Sequence, residues 1–251
     1  MSSDTSRVRT ALGVAIVIAS SVALAWVARQ HILESPRFAI ARVDVAGCSH
    51  RSADAVIAES GLALGSNVFA ADLDEARAKL LTDPWIADAA LCRRLPGTIL
   101  VRITERKAAA LVVLGDTFLA TPEGEPFKKV DSDDPVDLPL VTGVTVDDLL
   151  DDREGALQTI RRAVALADEY EERPLAKRSE IEEVHVEPNG SFSLVIGRGA
   201  TQLALGSPPF RRKLDQATRV IAELDKRGVK ASAILLDNAA RSDRVVVRLR
   251  R

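Results

Sequence analysis

The run Ala11–Ala28, ALGVAIVIASSVALAWVA, holds eighteen residues without a charge. As a helix it covers roughly 27 Å at about 1.5 Å per residue, close to the hydrocarbon thickness of a bilayer. Leu12, Val14, Ile16, Val17, Ile18, Val22, Leu24 and Trp26 leave no polar face, which argues against a buried core helix and predicts a membrane anchor in contact with lipid. The hydroxyls of Ser20 and Ser21 can bond back to helix carbonyls, and Trp26 stands at the end of the run, where an aromatic ring suits the interface. A cleaved secretory signal is the competing reading, since Ala23-Leu24-Ala25 supplies a small-x-small site after basic and apolar regions. The anchor is preferred, and both readings place the bulk of the chain outside the cytoplasm. Arg7 and Arg9, in a short tail over 1–10, hold that end inside by the positive-inside tendency, while Arg29, Arg37 and Arg42 reduce the asymmetry.

The 251 residues leave room for two small domains beyond an anchor over 11–28 and a linker over 29–37. A net charge of -2 gives no sign of a nucleic-acid partner. Aromatic residues make up only 4%, so the cores must be built from Ala, Val, Leu and Ile. Cys48 and Cys92 allow one disulfide at most and are read as two free, buried thiols. His31, His50 and His185 are scattered without a carboxylate or cysteine at ligand spacing and are read as surface residues, so neither a metal nor another cofactor is expected.

The first module reads strand, helix, helix, strand, strand over 38–106. From Phe38 to Gly47 the pattern has period two, with Ala41, Val43 and Val45 on one face. Ser52 caps a helix that Gly61 stops, and Asp72 with Glu75 opens another. Ala89–Arg94 and Thr98–Thr104 are strands, the second alternating Ile99, Val101 and Ile103 against Leu100, Arg102 and Thr104. Leu95-Pro96-Gly97-Thr98 has the chemistry of a type II turn.

These segments carry a resemblance. Phe38–Gly47 (FAIARVDVAG), Gly65–Phe69 (GSNVF), Pro84-Trp85-Ile86, Arg93–Ile99 (RRLPGTI) and Ile103–Arg106 (ITER) resemble the polypeptide-transport-associated (POTRA) domain of the FtsQ/DivIB family of bacterial division proteins. Phe118-Leu119-Ala120 with Glu123–Phe127 resembles the hairpin that follows it, and Pro139–Gly143 the next loop. The resemblance implies an α+β chain: an N-terminal transmembrane helix, a small β-α-α-β-β POTRA domain, and a larger domain over 107–251 of mostly antiparallel strands with flanking helices. It further implies a single-pass inner-membrane protein at the division septum, its bulk periplasmic, that links FtsB- and FtsL-like partners.

In the second module the aspartate-rich stretch Asp131–Asp152 is read as a solvated connection. Gly155–Glu172 has helical spacing, Ile181–Glu187 and Phe192–Ile196 flank an Asn189-Gly190 turn, and Gln202–Leu205 continues a meander. A helix from Ser207-Pro208 to Gly228 and strands over Ala231–Leu236 and Arg244–Leu249 complete it.

No catalytic set stands out. Gly197-Arg198-Gly199 lacks the third glycine of a dinucleotide fingerprint, and no nucleophile elbow or zinc-protease motif occurs. The chain is therefore read as working through surfaces and not as an enzyme. The last strand, with no successor in the sequence, is expected to expose its edge: Arg244, Val245, Val246, Val247, Arg248 and Leu249 are the candidate partner-binding residues. In the resembled family the terminal strand binds FtsB. The aromatic residue common before it is replaced here by Leu236-Asp237-Asn238. Ala89–Arg94 is a second candidate edge for further division partners. The alternatives are an accessory of outer-membrane protein transport, which needs a following β-barrel, and an anchored envelope hydrolase, which needs a catalytic set.

Overall fold

The computed structural model describes residues 2–237 and 245–250, and they form two compact units, 1–105 and 106–251. The first opens with helix α1 (Ser2–Glu34). Within Leu12–Glu34 the mean hydropathy reaches 1.9 and none of the span is buried by protein. Leu12, Val14, Ile16, Val17, Ile18, Val22, Leu24 and Trp26 are all more than half exposed. The helix continues through Gln30 to Glu34, so the expected linker begins only at Ser35. Nothing before Pro36 breaks the helical hydrogen bonds, and a 3-10 turn at Pro36–Phe38 follows.

Beyond it come β1 (Arg42–Ala46), α2 (Ala53–Ser60), α3 (Leu73–Leu80), β2 (Ile86–Arg94) and β3 (Thr98–Glu105). The sheet is mixed, in the order β1-β3-β2, with β1 parallel and β2 antiparallel to β3. The alternation in β3 fills the core, as Ile99, Val101 and Ile103 are each at most 3% exposed. Both helix caps read from sequence are made: Ser52 accepts from Ala55 N–H, and Asp72 accepts from Asp74 and Glu75 N–H.

Three local readings are corrected. Ile40, not Ala41, is buried, because Ala39 and Ile40 bond to the 65–67 loop and Ala41 to Gly97 before the β1 ladder begins. The 95–98 turn is not type II: Gly97 lacks a positive φ, and the Leu95–Pro96 peptide is cis. Glycine is needed there because an added Cβ would stand 2.2 Å from the Ala39 carbonyl oxygen. Cys92 is exposed rather than buried, and Cys48 is half-buried.

The second unit is built on a nine-stranded sheet. Its strands are β4 (Ala110–Leu114), β5 (Asp116–Ala120), β6 (Pro126–Lys129), β7 (Leu140–Thr142), β8 (Ile181–Val186), β9 (Phe192–Ile196), β10 (Thr201–Gly206), β11 (Ala231–Leu235) and β12 (Val246–Leu249). The order is β12-β11-β10-β9-β8-β7-β4-β5-β6, and five of the eight pairings are antiparallel. Helices α4 (Val146–Asp151), α5 (Arg153–Glu171) and α6 (Arg211–Lys226) flank it. One core joins Ile160, Val164 and Tyr170 of α5 and Leu214 of α6 to the inward side chains of the sheet. The buried Tyr170 hydroxyl donates to the Ser179 carbonyl at 2.6 Å.

The stretch read as a solvated connection is corrected. Leu140–Thr142 is an interior strand, parallel to both β4 and β8, and α4 follows it. Asp134 in the same stretch is buried, accepting from Lys128 Nζ and from Asp131 N–H. The unit is consequently more than a meander, since β7 splices the β4–β6 group onto the rest.

Candidate functional site

Among the described residues, β12 pairs only with β11 and forms one border of the nine-stranded sheet. The register sets Val246 opposite Leu235, Val247 opposite Ile234, Arg248 opposite Ala233 and Leu249 opposite Ala231, with a bulge at Ser232. Period two decides what each residue faces up to Arg248, while Leu249 at the strand's end departs from it. Val245 and Val247 pack against the core, while Val246 (57%), Arg248 and Leu249 (51%) are exposed. Arg244 lies outside the described residues. The strand thus spends alternate side chains on attachment and presents the others along an edge whose N–H and C=O groups are unpaired among the described residues.

Contacts that no spacing rule reveals fasten its far end. Ser232 Oγ donates to the Arg248 carbonyl at 3.1 Å, Arg250 N–H donates to the Lys230 carbonyl at 2.8 Å, and the Arg250 guanidinium donates to the Gly199 carbonyl. Arg250 also lines a cleft of about 480 Å³ with Lys177, Arg178, Arg198 and Lys230, against the acidic Glu180, Glu182 and Asp225. Arg178 is paired with Asp225 at 3.1 Å. The end of β12 therefore runs beside a cleft of mixed charge, with five basic side chains against three acidic ones.

Two of the other borders, β6 and β2, are blunted. β6 is four residues long, starts at Pro126 and carries Lys128 and Lys129, the latter paired with Asp116 at 2.6 Å. In the first unit β2 is also a border strand, but Arg77 Nε donates to its Ala89 carbonyl at 2.8 Å and Arg93 is bound to the carbonyls of Val68 and Ala71. β12 is less protected than either of these; β1, the remaining border, pairs with β3 alone among the described residues.

A second polar centre closes the first unit. Glu105 Oε2 accepts from Ser49 N–H (2.9 Å), Ser49 Oγ (2.5 Å) and His50 N–H (2.8 Å), and Oε1 accepts from Arg51 N–H (2.9 Å). Burial pushes the carboxyl up, but the hydrogen bonds from Ser49, Arg51 and His50 outweigh it and hold the group at about 2. His50 in turn stacks on Trp85 with ring centroids 3.8 Å apart. This centre is structural: it holds the β1–α2 loop onto the end of β3. Among the described residues no His, Cys, Asp and Glu side chains gather in a group able to hold a metal ion.

Two family profiles match the chain, "POTRA domain, FtsQ-type" over 38–106 and "Cell division protein FtsQ/DivIB, C-terminal" over 110–237. The chain belongs to the FtsQ/DivIB family. The FtsQ of Myxococcus fulvus is 33% identical over 95% of this chain and 82% of its own length, and that of an Anaeromyxobacter species is 32% identical over 97% and 84%. The DivIB of Geobacillus kaustophilus is 24% identical over 77% of this chain and 71% of its own. The N-terminal domain of a Thermosynechococcus elongatus Omp85 covers 87% of this chain and all of its own, but at 13% identity and a TM-score of 0.27 it carries no argument. The α+β architecture of an apolar N-terminal helix, a POTRA domain and a larger, mostly stranded domain is that of FtsQ, whose family is one of non-catalytic division proteins. The C-terminal profile stops at Asp237, so β12 follows the matched residues.

Proposed function

We propose that this FtsQ-type chain is a scaffold of cell division, anchored in the inner membrane by α1 with its two units on the periplasmic side at the septum. It recruits an FtsB-type partner, travelling with an FtsL-type one, by accepting a strand along β12. The observation that carries the reading is the border at β12, unpaired among the described residues, which offers backbone bonds for affinity, while Val246, Arg248 and the basic side chains of the adjoining cleft select an acidic, β-forming segment. The non-catalytic character of the family supports a role exercised through surfaces.

The test is binding of the extracytoplasmic part of an FtsB-type partner to the detergent-solubilised full chain. Val246→Asp and Arg248→Glu are each expected to weaken it about tenfold, or ~1.4 kcal/mol, as is usual for disturbed cross-strand and charge-complementary contacts. Leu150→Asp, at an exposed residue of α4, is the control. Unchanged affinity in both β12 variants refutes strand addition at this border.

A further inference from the structure

The anchor helix and the first unit meet through defined contacts. The Ile32 carbonyl, in the last turn of α1, accepts a hydrogen bond of 2.8 Å from Asn67 Nδ2. Asn67 lies in the loop joining α2 to α3, and that loop is stitched to the segment just after α1. Ile40 N–H donates to the Ser66 carbonyl (2.7 Å), Gly65 N–H to Ile40 (2.8 Å) and Val68 N–H to Phe38 (2.8 Å). The β2–β3 turn closes on the same segment, with Ala41 N–H donating to the Gly97 carbonyl at 2.8 Å. β1 and β3 depart from this end and β2 arrives at it, as the pairings Arg42↔Thr98 and Arg94↔Thr98 require. Residues 35–41, the 62–69 loop and the 95–97 turn therefore make up the end of the unit at which α1 enters.

That end is where the exposed apolar side chains gather. Among the described residues of this unit outside α1, the strongly exposed large apolar ones are Leu64 (64%), Phe69 (41%) and Leu95 (57%). All three belong to the α1 end, and the Phe69 ring meets Phe38 edge-on at 5.2 Å. The opposite end carries the polar Glu105 centre instead. Arg37 and Arg94 are exposed beside the apolar tips, and Arg29 closes the uncharged run of α1. Apolar tips set among arginines are the composition of an interfacial contact.

Depth follows from helix geometry. Ile32 lies four residues beyond Ala28, about 6 Å along the axis. The headgroup layer of a bilayer is itself about 5–7 Å deep on each side. A loop bonded to Ile32 is thus inside that layer, within a side chain's reach of the acyl boundary.

We propose that the α1 end of the first unit is seated in the lipid–water interface, with Leu64, Phe69 and Leu95 as apolar tips and Arg29, Arg37 and Arg94 among the phosphates. The unit is then held against the bilayer surface and does not swing on its anchor. The inference rests on α1 spanning the membrane, and the experiment separates the two.

Nitroxide labels are placed singly at Leu64→Cys, Phe69→Cys and Leu95→Cys in the full chain carrying Cys48→Ser and Cys92→Ser. The protein is reconstituted into vesicles of phosphatidylethanolamine and phosphatidylglycerol. Val17→Cys serves as the label within the helix, and Ala53→Cys, at the exposed start of α2, as the water control. The three tips are expected to collide more with oxygen than with a water-soluble nickel relaxant, with ratios between those at Val17 and Ala53. If Val17 reads lipid while all three tips match Ala53, including the case where a protein partner later covers them, the interfacial seat is overturned. If Val17 reads water, the anchor reading itself fails. Circular dichroism of each labelled chain keeps misfolding from passing as exposure.

Discussion

Replacing Glu105 with glutamine tests the account of the first unit most directly, because the carboxylate accepts four hydrogen bonds from residues 49–51. Glutamine keeps the shape but loses the charge, and its amide nitrogen must face a donor. A carboxyl moved from 4.5 to about 2 corresponds to about 3 kcal/mol at neutral pH, and partial solvent access lowers the expected loss to about 2 kcal/mol. The sign follows from the folded carboxyl titrating below the unfolded one. The stabilisation is fully present above the unfolded value near 4.5 and is lost as pH falls from there towards 2. Trp85 reports the transition, being the tryptophan of the pair that lies outside α1, stacked on His50. Denaturant titration of the chain without its anchor, followed by Trp85 emission, is therefore expected to show Glu105→Gln about 2 kcal/mol less stable at pH 7, with the gap closing towards pH 2. A gap below about 0.5 kcal/mol at pH 7 refutes the assignment, as does a gap that stays constant down to pH 2.

Gly143 is the second test: its φ is +85°, and a Cβ there would stand 1.9 Å from the Val186 carbonyl oxygen, so Gly143→Ala is expected to destabilise the second unit by about 3 kcal/mol. The near-ultraviolet signal of Tyr170, the chain's one tyrosine, follows that unit, and an unshifted melting curve counts against the described packing at β7. The two thiols are expected to differ as well. Cys92 is exposed, whereas burial and the nearby Glu105 charge push the Cys48 thiol up, so a maleimide at pH 7 is expected to label Cys92 about ten times faster. Mass spectrometry of quenched samples decides this, and equal rates contradict the placement of Cys48.

What the sequence discloses depends on how local the cause is. Ser52, Gly61 and Asp72 act within one turn of their own helices, and Ile99, Val101 and Ile103 alternate along one strand, so all are readable in a single pass. Leu140–Thr142 is not: three residues are too few to display a period, and only neighbours on both sides make them a strand. Gly97 misleads because Pro-Gly fits a familiar turn, while the carbonyl that demands glycine comes from Ala39, far back in the chain. Glu105 stands within a recognisable motif, but its donors lie some 55 residues away. At the candidate edge, the alternation of Val245 and Val247 against Val246 and Arg248 is legible. The clamp by Arg250 and the adjoining cleft are assembled from separate loops, and a linear reading cannot join them.

The contrast between the two ends of the large sheet bears on stoichiometry. A sheet open at both sides can be extended in either direction and is a step towards a filament. Here the β6 side is shut by its proline, its lysines and its brevity, while the β12 side stays available. Among the described residues this sheet therefore offers one side for a directly added strand, and any further growth depends on the outer edge which that strand itself brings.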